Sequence, residues 1–199
     1  MRLSARKSAP GVRGGKTRKK NRTALSPDIY EHEFDRLVVQ RIRPAKGHYH
    51  AVSPTDVRRF AALIPDWETV SEGIRAVVLT PGGDDCFGRY HNAGVIKLDA
   101  WPKVETAYVP PRKEWLMRQL GIEEPHDDIG WFLHLSREQV RCFLLMGTFL
   151  HDLGHHIDRM TTRSKADASN GEPFAIAYEH RRQRELWEAF CREFGSPTP

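Results

Sequence analysis

The stretch "GTFLHDLGHHIDRM", residues 147–160, contains the most informative pattern in this chain. It places His151 and His155 four residues apart, with Asp152 directly after the first histidine. On a helix such residues project from one face, so two imidazole nitrogens can bind one Zn²⁺ at about 2.0–2.1 Å. Asp152 would flank that ion and hold a water molecule. The alternative is a helix end that is merely rich in histidine.

The residues around this stretch predict two helices. Ser136, with Gln139 three residues later, has the pattern of a capping box. From there to about Arg159 apolar residues recur at helical spacing, which predicts a central helix of about 35 Å. A polar loop follows, and a last helix is expected from about Glu172 until Gly195.

Further helices are predicted upstream. The segments that begin at Ser26 and Ser53 each place Ser before Pro and continue with apolar residues at helical spacing. This pattern predicts two capped helices, over residues 26–42 and 53–65. A third, short helix is predicted over residues 112–120.

Two strands are predicted between these helices. The β-branched run at 74–80 and the alternating run at 95–101 both predict strands, and the Gly-rich stretch 81–93 predicts a loop between them. Residues 26–199 are therefore expected to form one α+β domain.

The net charge of +5 has an uneven distribution. Residues 1–24 hold nine Lys and Arg and no acid, which leaves 22 cationic against 26 acidic residues in the remainder. Because residues 1–25 contain few large apolar residues, they predict a disordered basic tail. The basic charge of such a tail predicts that it binds nucleic acid or another acidic partner. The alternative is a solvated extension without a partner.

Composition also excludes several classes. No apolar run approaches the roughly 20 residues that span a bilayer, and no secretory signal is present, so no membrane partner is expected. Cys86, Cys142 and Cys191 contain no CxxC pair, which argues against a disulfide framework. A cytoplasmic protein with reduced thiols is predicted.

The sequence "FLHDLGHHID" resembles the active helix of HExxH zinc metallopeptidases, with Asp152 in the position of their Glu. Metzincins are excluded, because Thr161 stands where their third histidine would be. The run "GEPFAIAY", 171–178, is similar to that of the anthrax lethal-factor-like gluzincins. That similarity implies Glu172 as the third zinc ligand, with Glu179, seven residues later, as the alternative.

The resemblance implies a zincin-like fold, in which a small mixed sheet with an antiparallel edge strand packs on a long metal-binding helix and a C-terminal helix. Such an edge strand pairs with an extended peptide or protein substrate. The implied activity is hydrolysis of a peptide bond through a metal-bound water, with Asp152 as the base. Its carboxylate would lie about 1.5 Å further back than that of Glu, which puts turnover in question.

Three further residues are candidates for supporting roles. Asp158 could accept the free ring N–H of a ligating histidine, or pair as a helix-end charge with Arg159 or Arg163. His91 and Tyr178 are candidates for substrate contacts, with an exposed loop position and a core position as the respective alternatives.

A second enzyme class shares the same residues. "FLLMGTFLHDLGHH" also resembles an HD-domain metal-dependent phosphohydrolase, with His126 or His134 and Asp167 as further ligands. That domain is all-helical, which the two predicted strands disfavour. The third hypothesis is a catalytically weak metal-binding protein whose basic tail binds nucleic acid.

Overall fold

The structure, a computed structural model, describes residues 37–82, 86–103, 113–122, 135–162 and 170–197, together with Ile29 and four short strands elsewhere. These residues form several helices and a small mixed sheet, so the predicted α+β class is confirmed. Within this part of the chain, no helix is both long enough and apolar enough to cross a bilayer.

The elements follow one another along the chain as helices and strands of very different length. The helices are α1 (Pro54–Ala61), α2 (Trp67–Val70), α3 (Glu114–Gln119), α4 (Arg137–Cys142), a π-helical stretch (Phe143–Phe149), α5 (Leu150–Thr161) and α6 (Glu172–Phe194). The strands are β1 (Val12–Arg13), β2 (Lys16–Thr17), β3 (Val38–Arg41), β4 (His48–Tyr49), β5 (Ala76–Thr80), β6 (Gly88–His91), β7 (Val95–Asp99), β8 (Trp101–Pro102), β9 (Ala107–Val109) and β10 (Trp131–Leu133).

The main sheet has four strands in the order β3-β5-β7-β6. The first three strands are parallel, and β6 lies antiparallel to β7 at the edge. Every residue of β5 is buried, because Val77 and Leu79 face the helices while Ala76 and Val78 join a smaller apolar cluster. This continuous apolar run is typical of a parallel strand that is covered on both faces.

Helix α4, the π-helical stretch and α5 form one continuous helix from residue 137 to 161. The predicted capping box is confirmed, since Ser136 and Gln139 exchange hydrogen bonds at its start. All seven residues of the π-helical stretch are buried. The stretch ends two residues before His151. π-Helical turns are rare and occur frequently at functional sites, so this position indicates a functional role for that part of the helix.

Helices α5 and α6 pack closely where Gly154 faces Ala175. A Cβ at Gly154 would lie only 2.8 Å from the Cα of Ala175 and 3.3 Å from the Cβ of Tyr178. The absence of a side chain at Gly154 therefore sets the separation of the two helices, and with it the distance from α5 to the first residues of α6.

Two predictions of secondary structure are wrong. Residues 38–41 of the predicted first helix form β3, because Val38 and Val39 find a parallel partner in β5. The predicted loop 81–93 contains β6, which depends on pairing with β7. Short apolar or mixed runs do not distinguish helix, strand and loop until their partner is known.

The described part of the tail consists of β1 and β2, which pair antiparallel to each other. The disorder predicted for residues 1–25 and their predicted partners stay predictions.

Candidate metal centre

Helix α5 presents two imidazoles to the same point. His151 and His155 lie one turn apart, and their Nε2 atoms are 3.2 Å from each other. His151 is buried, and His155 is partly exposed to solvent. Burial and the neighbouring His151 lower the pKa of His155, which favours the neutral imidazole that binds metal ions.

Glu172 is brought to the histidines by the turn that starts α6. The φ of Gly171, directly before it, is +70°, in the left-handed region that favours glycine. The buried Asp158 carboxylate accepts hydrogen bonds from the backbone N–H of Gly171 at 2.7 Å and from Asn170 at 2.9 and 3.1 Å. Asp158 therefore holds the turn that positions Glu172. Its predicted contact with a histidine ring stays a prediction, although its charge acts on the pKa of His155.

The three candidate ligands, His151, His155 and Glu172, form a ligand triangle in which Glu172 approaches each histidine with a different carboxylate oxygen. Glu172 Oε2 lies 3.2 Å from His151 Nε2, and Glu172 Oε1 lies 3.4 Å from His155 Nε2. The described residues thus offer two ring nitrogens and a carboxylate that could hold a metal ion.

Glu179, the alternative third ligand, lies on the other side of His151. Its Oε2 is 3.2 Å from His151 Nδ1, although the alignment falls outside hydrogen-bond geometry, and neither atom has a hydrogen bond to another described residue. Burial acts to raise the pKa of Glu179, but Lys113 and His151 outweigh it and hold that pKa below its usual value.

The Glu179 carboxylate has a consequence for the opposite ring nitrogen. A carboxylate beside Nδ1 favours the tautomer with the proton on that atom, which leaves the Nε2 of His151 as a lone pair. This lone pair lies 3.2 Å from a carboxylate oxygen of Glu172. In this tautomer the Nε2 atom of His151 is available to bind a metal ion.

Asp152 lies on the side of α5 that faces β6, outside the ligand triangle. Its carboxylate is buried, takes a hydrogen bond from the backbone N–H of Tyr90, and has no hydrogen bond to a described residue at Oδ2. A Cβ at Gly88 would lie 3.3 Å from that oxygen, so glycine lets β6 approach it closely. Burial raises the pKa of Asp152 well above its usual value, against the opposing charge of Lys113. The free oxygen can therefore take up a proton.

The sequence patterns missed three residues around this site: Lys113, Tyr90 and His156. In the tautomer that satisfies both contacts, His156 Nε2 donates to the backbone oxygen of Glu72 at 2.8 Å, and Nδ1 accepts from the Tyr90 hydroxyl at 3.1 Å. Burial lowers the pKa of His156. This contact ties α5 to β6. In the sequence, only the position of His156 next to His155 could have pointed to it. Tyr90 could not be found, because its strand was predicted as a loop.

The remaining candidates lie elsewhere. Exposed His91, on β6, accepts a hydrogen bond from the backbone N–H of Ala93 at 3.2 Å. Buried Tyr178, on α6, accepts one from Arg182 Nε at 3.2 Å, and burial raises the pKa of its hydroxyl. Substrate contacts of His91 and Tyr178 stay predictions. The alternative ligands His126, His134 and Asp167 lie outside the described residues.

No protein-family model, curated protein or solved structure matches the chain.

Proposed function

We propose that the chain is a zinc-dependent metallopeptidase with a zincin-like fold, which hydrolyses a peptide bond in an extended polypeptide. The observation that carries the proposal is the triangle of His151, His155 and Glu172, in which each pair of residues has nitrogen or oxygen atoms 3.2 to 3.4 Å apart. Three protein ligands with one open position are the usual arrangement of a catalytic zinc ion. Because His155 and Glu172 are partly exposed, the site is accessible from solvent.

The residues divide the chemistry between binding and proton transfer. His151, His155 and Glu172 hold the cation, which when bound would polarise a substrate carbonyl and a water molecule. Asp152 takes the proton of the attacking water at Oδ2 and returns it to the amine that leaves when the C–N bond breaks. Burial raises the pKa of Asp152, which favours its uptake of a proton.

The sheet supports a peptide as the substrate. Strand β6 is antiparallel to β7, contacts α5, and has no strand on its outer side among the described residues. Gly88 and Tyr90 lie toward the helix beside Asp152 and His156, while Arg89 and His91 are exposed. An edge strand next to the reacting groups can pair with an extended peptide and position one of its bonds.

The phosphohydrolase hypothesis is disfavoured by two observations. It requires His151 and Asp152 to bind the same ion, whereas among the described residues His151 groups with His155 and Glu172. It also requires an all-helical domain, and the chain contains a four-stranded sheet.

Metal content tests the ligand assignment. The protein is purified without a histidine tag or added metal, and zinc, iron and manganese are measured per chain. About one zinc per chain is expected, with its loss in Glu172→Gln. Glu188→Gln is the matched control, because it changes an exposed glutamate on the same helix, and zinc should be retained. Iron or manganese near two per chain would instead support the phosphohydrolase.

Activity is tested separately on the zinc-loaded protein. A pool of unstructured peptides is incubated with the wild type and with Asp152→Asn, and new termini are identified by mass spectrometry. Cleavage by the wild type that is lost in Asp152→Asn, with zinc retained in both, is the expected result. Bound zinc without cleavage in either protein would support the third hypothesis, a metal-binding protein without turnover.

A further inference from the structure

The Nδ1 side of the His151 ring, opposite to Glu172, faces a buried ion pair. Glu179 Oε2 lies 3.2 Å from His151 Nδ1, on the side opposite to Glu172. The Glu179 side chain has no exposed surface. A buried carboxylate requires a compensating charge or full hydrogen bonding, so the groups on its other oxygen determine whether it can remain there.

Those groups come from two elements. Lys113 Nζ lies 2.5 Å from Glu179 Oε1, and Gln183 Nε2 donates to the same oxygen at 2.8 Å. The side chain of Lys113 is only 5% exposed. Gln183 also donates to the backbone oxygen of Met146, which lies in the π-helical stretch. Glu179 is thus held at Oε1, and Oε2 remains directed at the histidine.

The pair lies next to Gly147 in the π-helical stretch. A Cβ at Gly147 would lie 3.7 Å from Lys113 Nζ and 3.9 Å from Glu179 Oε1. Lys113 precedes α3, a short helix separate in sequence from both α5 and α6. The support behind His151 is therefore built from three parts of the chain.

We infer that Lys113 is a positioning residue for the metal centre: it fixes the Glu179 carboxylate, which in turn orients the His151 ring and its Nε2 atom. This inference rests on the proposed zinc site. Groups that hold a ligating histidine from behind typically change metal affinity 10- to 100-fold when they are removed. A buried ion pair that served only the fold would change stability and leave the affinity of the folded protein unchanged.

Zinc affinity and stability measured together separate these roles. The metal-free wild type, Lys113→Met and the double variant Lys113→Met/Glu179→Gln are titrated with Zn²⁺ against a chromophoric chelator. Thermal unfolding of each metal-free protein is recorded in parallel, and Co²⁺ spectra report the coordination geometry. Leu186→Ala is the control, because it removes a buried apolar side chain from the same helix as Glu179.

Lys113→Met is expected to lower Tm and to raise the Kd for zinc about 10- to 100-fold. The double variant should recover most of the lost Tm, because no charge is left unpaired, while its Kd stays raised and its Co²⁺ spectrum stays altered. Leu186→Ala should lower Tm and leave Kd unchanged. If Lys113→Met does not fold, the double variant alone gives the comparison.

Wild-type affinity in the double variant, or in a folded Lys113→Met protein, would overturn the inference and leave the zinc site intact. No zinc binding by the wild type would overturn both the inference and the proposed function.

Discussion

Glu172 and Glu179 lie seven residues apart on α6 and both contact His151, but they occupy opposite environments. Glu172 faces the Nε2 side, and its side chain is 56% exposed, whereas Glu179 faces the Nδ1 side and has no exposed surface. Glu179 is held by Lys113 and Gln183. Glu172 has its contacts with the two histidines at the open end of the site.

The difference shows how burial assigns roles to two similar residues. An exposed carboxylate can bind or release a metal ion with little effect on the fold, because water solvates it in either state. A buried carboxylate is part of the fold, because its charge must be balanced at all times. We therefore expect Glu172 to control metal binding and Glu179 to control stability as well as affinity.

The largest effect is expected from neutralising the buried member. Glu179→Gln removes the carboxylate of a buried ion pair with Lys113 and should lower the free energy of unfolding by about 3–5 kcal/mol. Glu172→Gln should change it by less than about 0.5 kcal/mol, since that side chain is largely exposed. Urea unfolding of the metal-free proteins measures both. Equal losses in the two variants would contradict the assignment of roles by burial.

The second prediction concerns the contact between α5 and α6, which brings both glutamates to His151. Gly154→Ala should lower the free energy of unfolding by about 2–3 kcal/mol, because the new Cβ would meet the backbone of Ala175. It should also weaken zinc binding, since α6 carries Glu172. At an exposed helix position the same change would raise the free energy of unfolding by about 1 kcal/mol. The sign of the measured change therefore shows whether the two helices are in contact at Gly154. A more stable variant would show that the helices are not in contact there.

A smaller effect is expected on the strand side of α5. Asp152→Glu introduces the residue of the HExxH pattern, but its extra methylene must fit between α5 and Gly88, where the present carboxylate is buried. We expect a loss of about 1 kcal/mol in metal-free protein and retained zinc. Asp152→Asn, which keeps the volume, is the control and should not lose stability. A Glu variant as stable as the wild type would indicate spare room at β6.

The smallest effect is a pH dependence outside the site. His50 is buried and donates from Nε2 to the backbone oxygen of Ile42 at 2.7 Å. Burial lowers the pKa of His50 despite this hydrogen bond, so the unfolded chain takes up a proton first as the pH falls. Stability should therefore decline below about pH 6.5, and less so in His50→Gln. Identical pH profiles of unfolding for both proteins would contradict the lowered pKa.

Much of the helical framework followed from local patterns. The capping residue Ser136, the long apolar helix and the start of α6 at Glu172 were predicted close to their observed positions. Helix caps and periodic apolar faces are recognised from residues three or four apart, so they can be predicted without knowing which distant residues pack against them. The spacing of His151 and His155 belongs to the same kind of local information.

The strands, and the contact of Lys113 with Glu179, could not be predicted in the same way. Strand β6 forms because β7 lies beside it, and β3 forms because β5 does. Lys113 has no local feature that distinguishes it from other lysines, yet it is buried against a glutamate 66 residues away. Sequence similarity around Glu172 placed Glu179 only as an alternative ligand.

Residue spacing alone predicts two imidazoles on one helical face with an acid beside them, and the resemblance adds a candidate third ligand on the last helix. The packing of the helices and the sheet determines which side of His151 each glutamate faces, and it places Asp152 against β6 and Lys113 against Glu179. A helix fixes the direction of side chains a few residues apart, whereas burial and charge balance depend on elements that are distant in sequence.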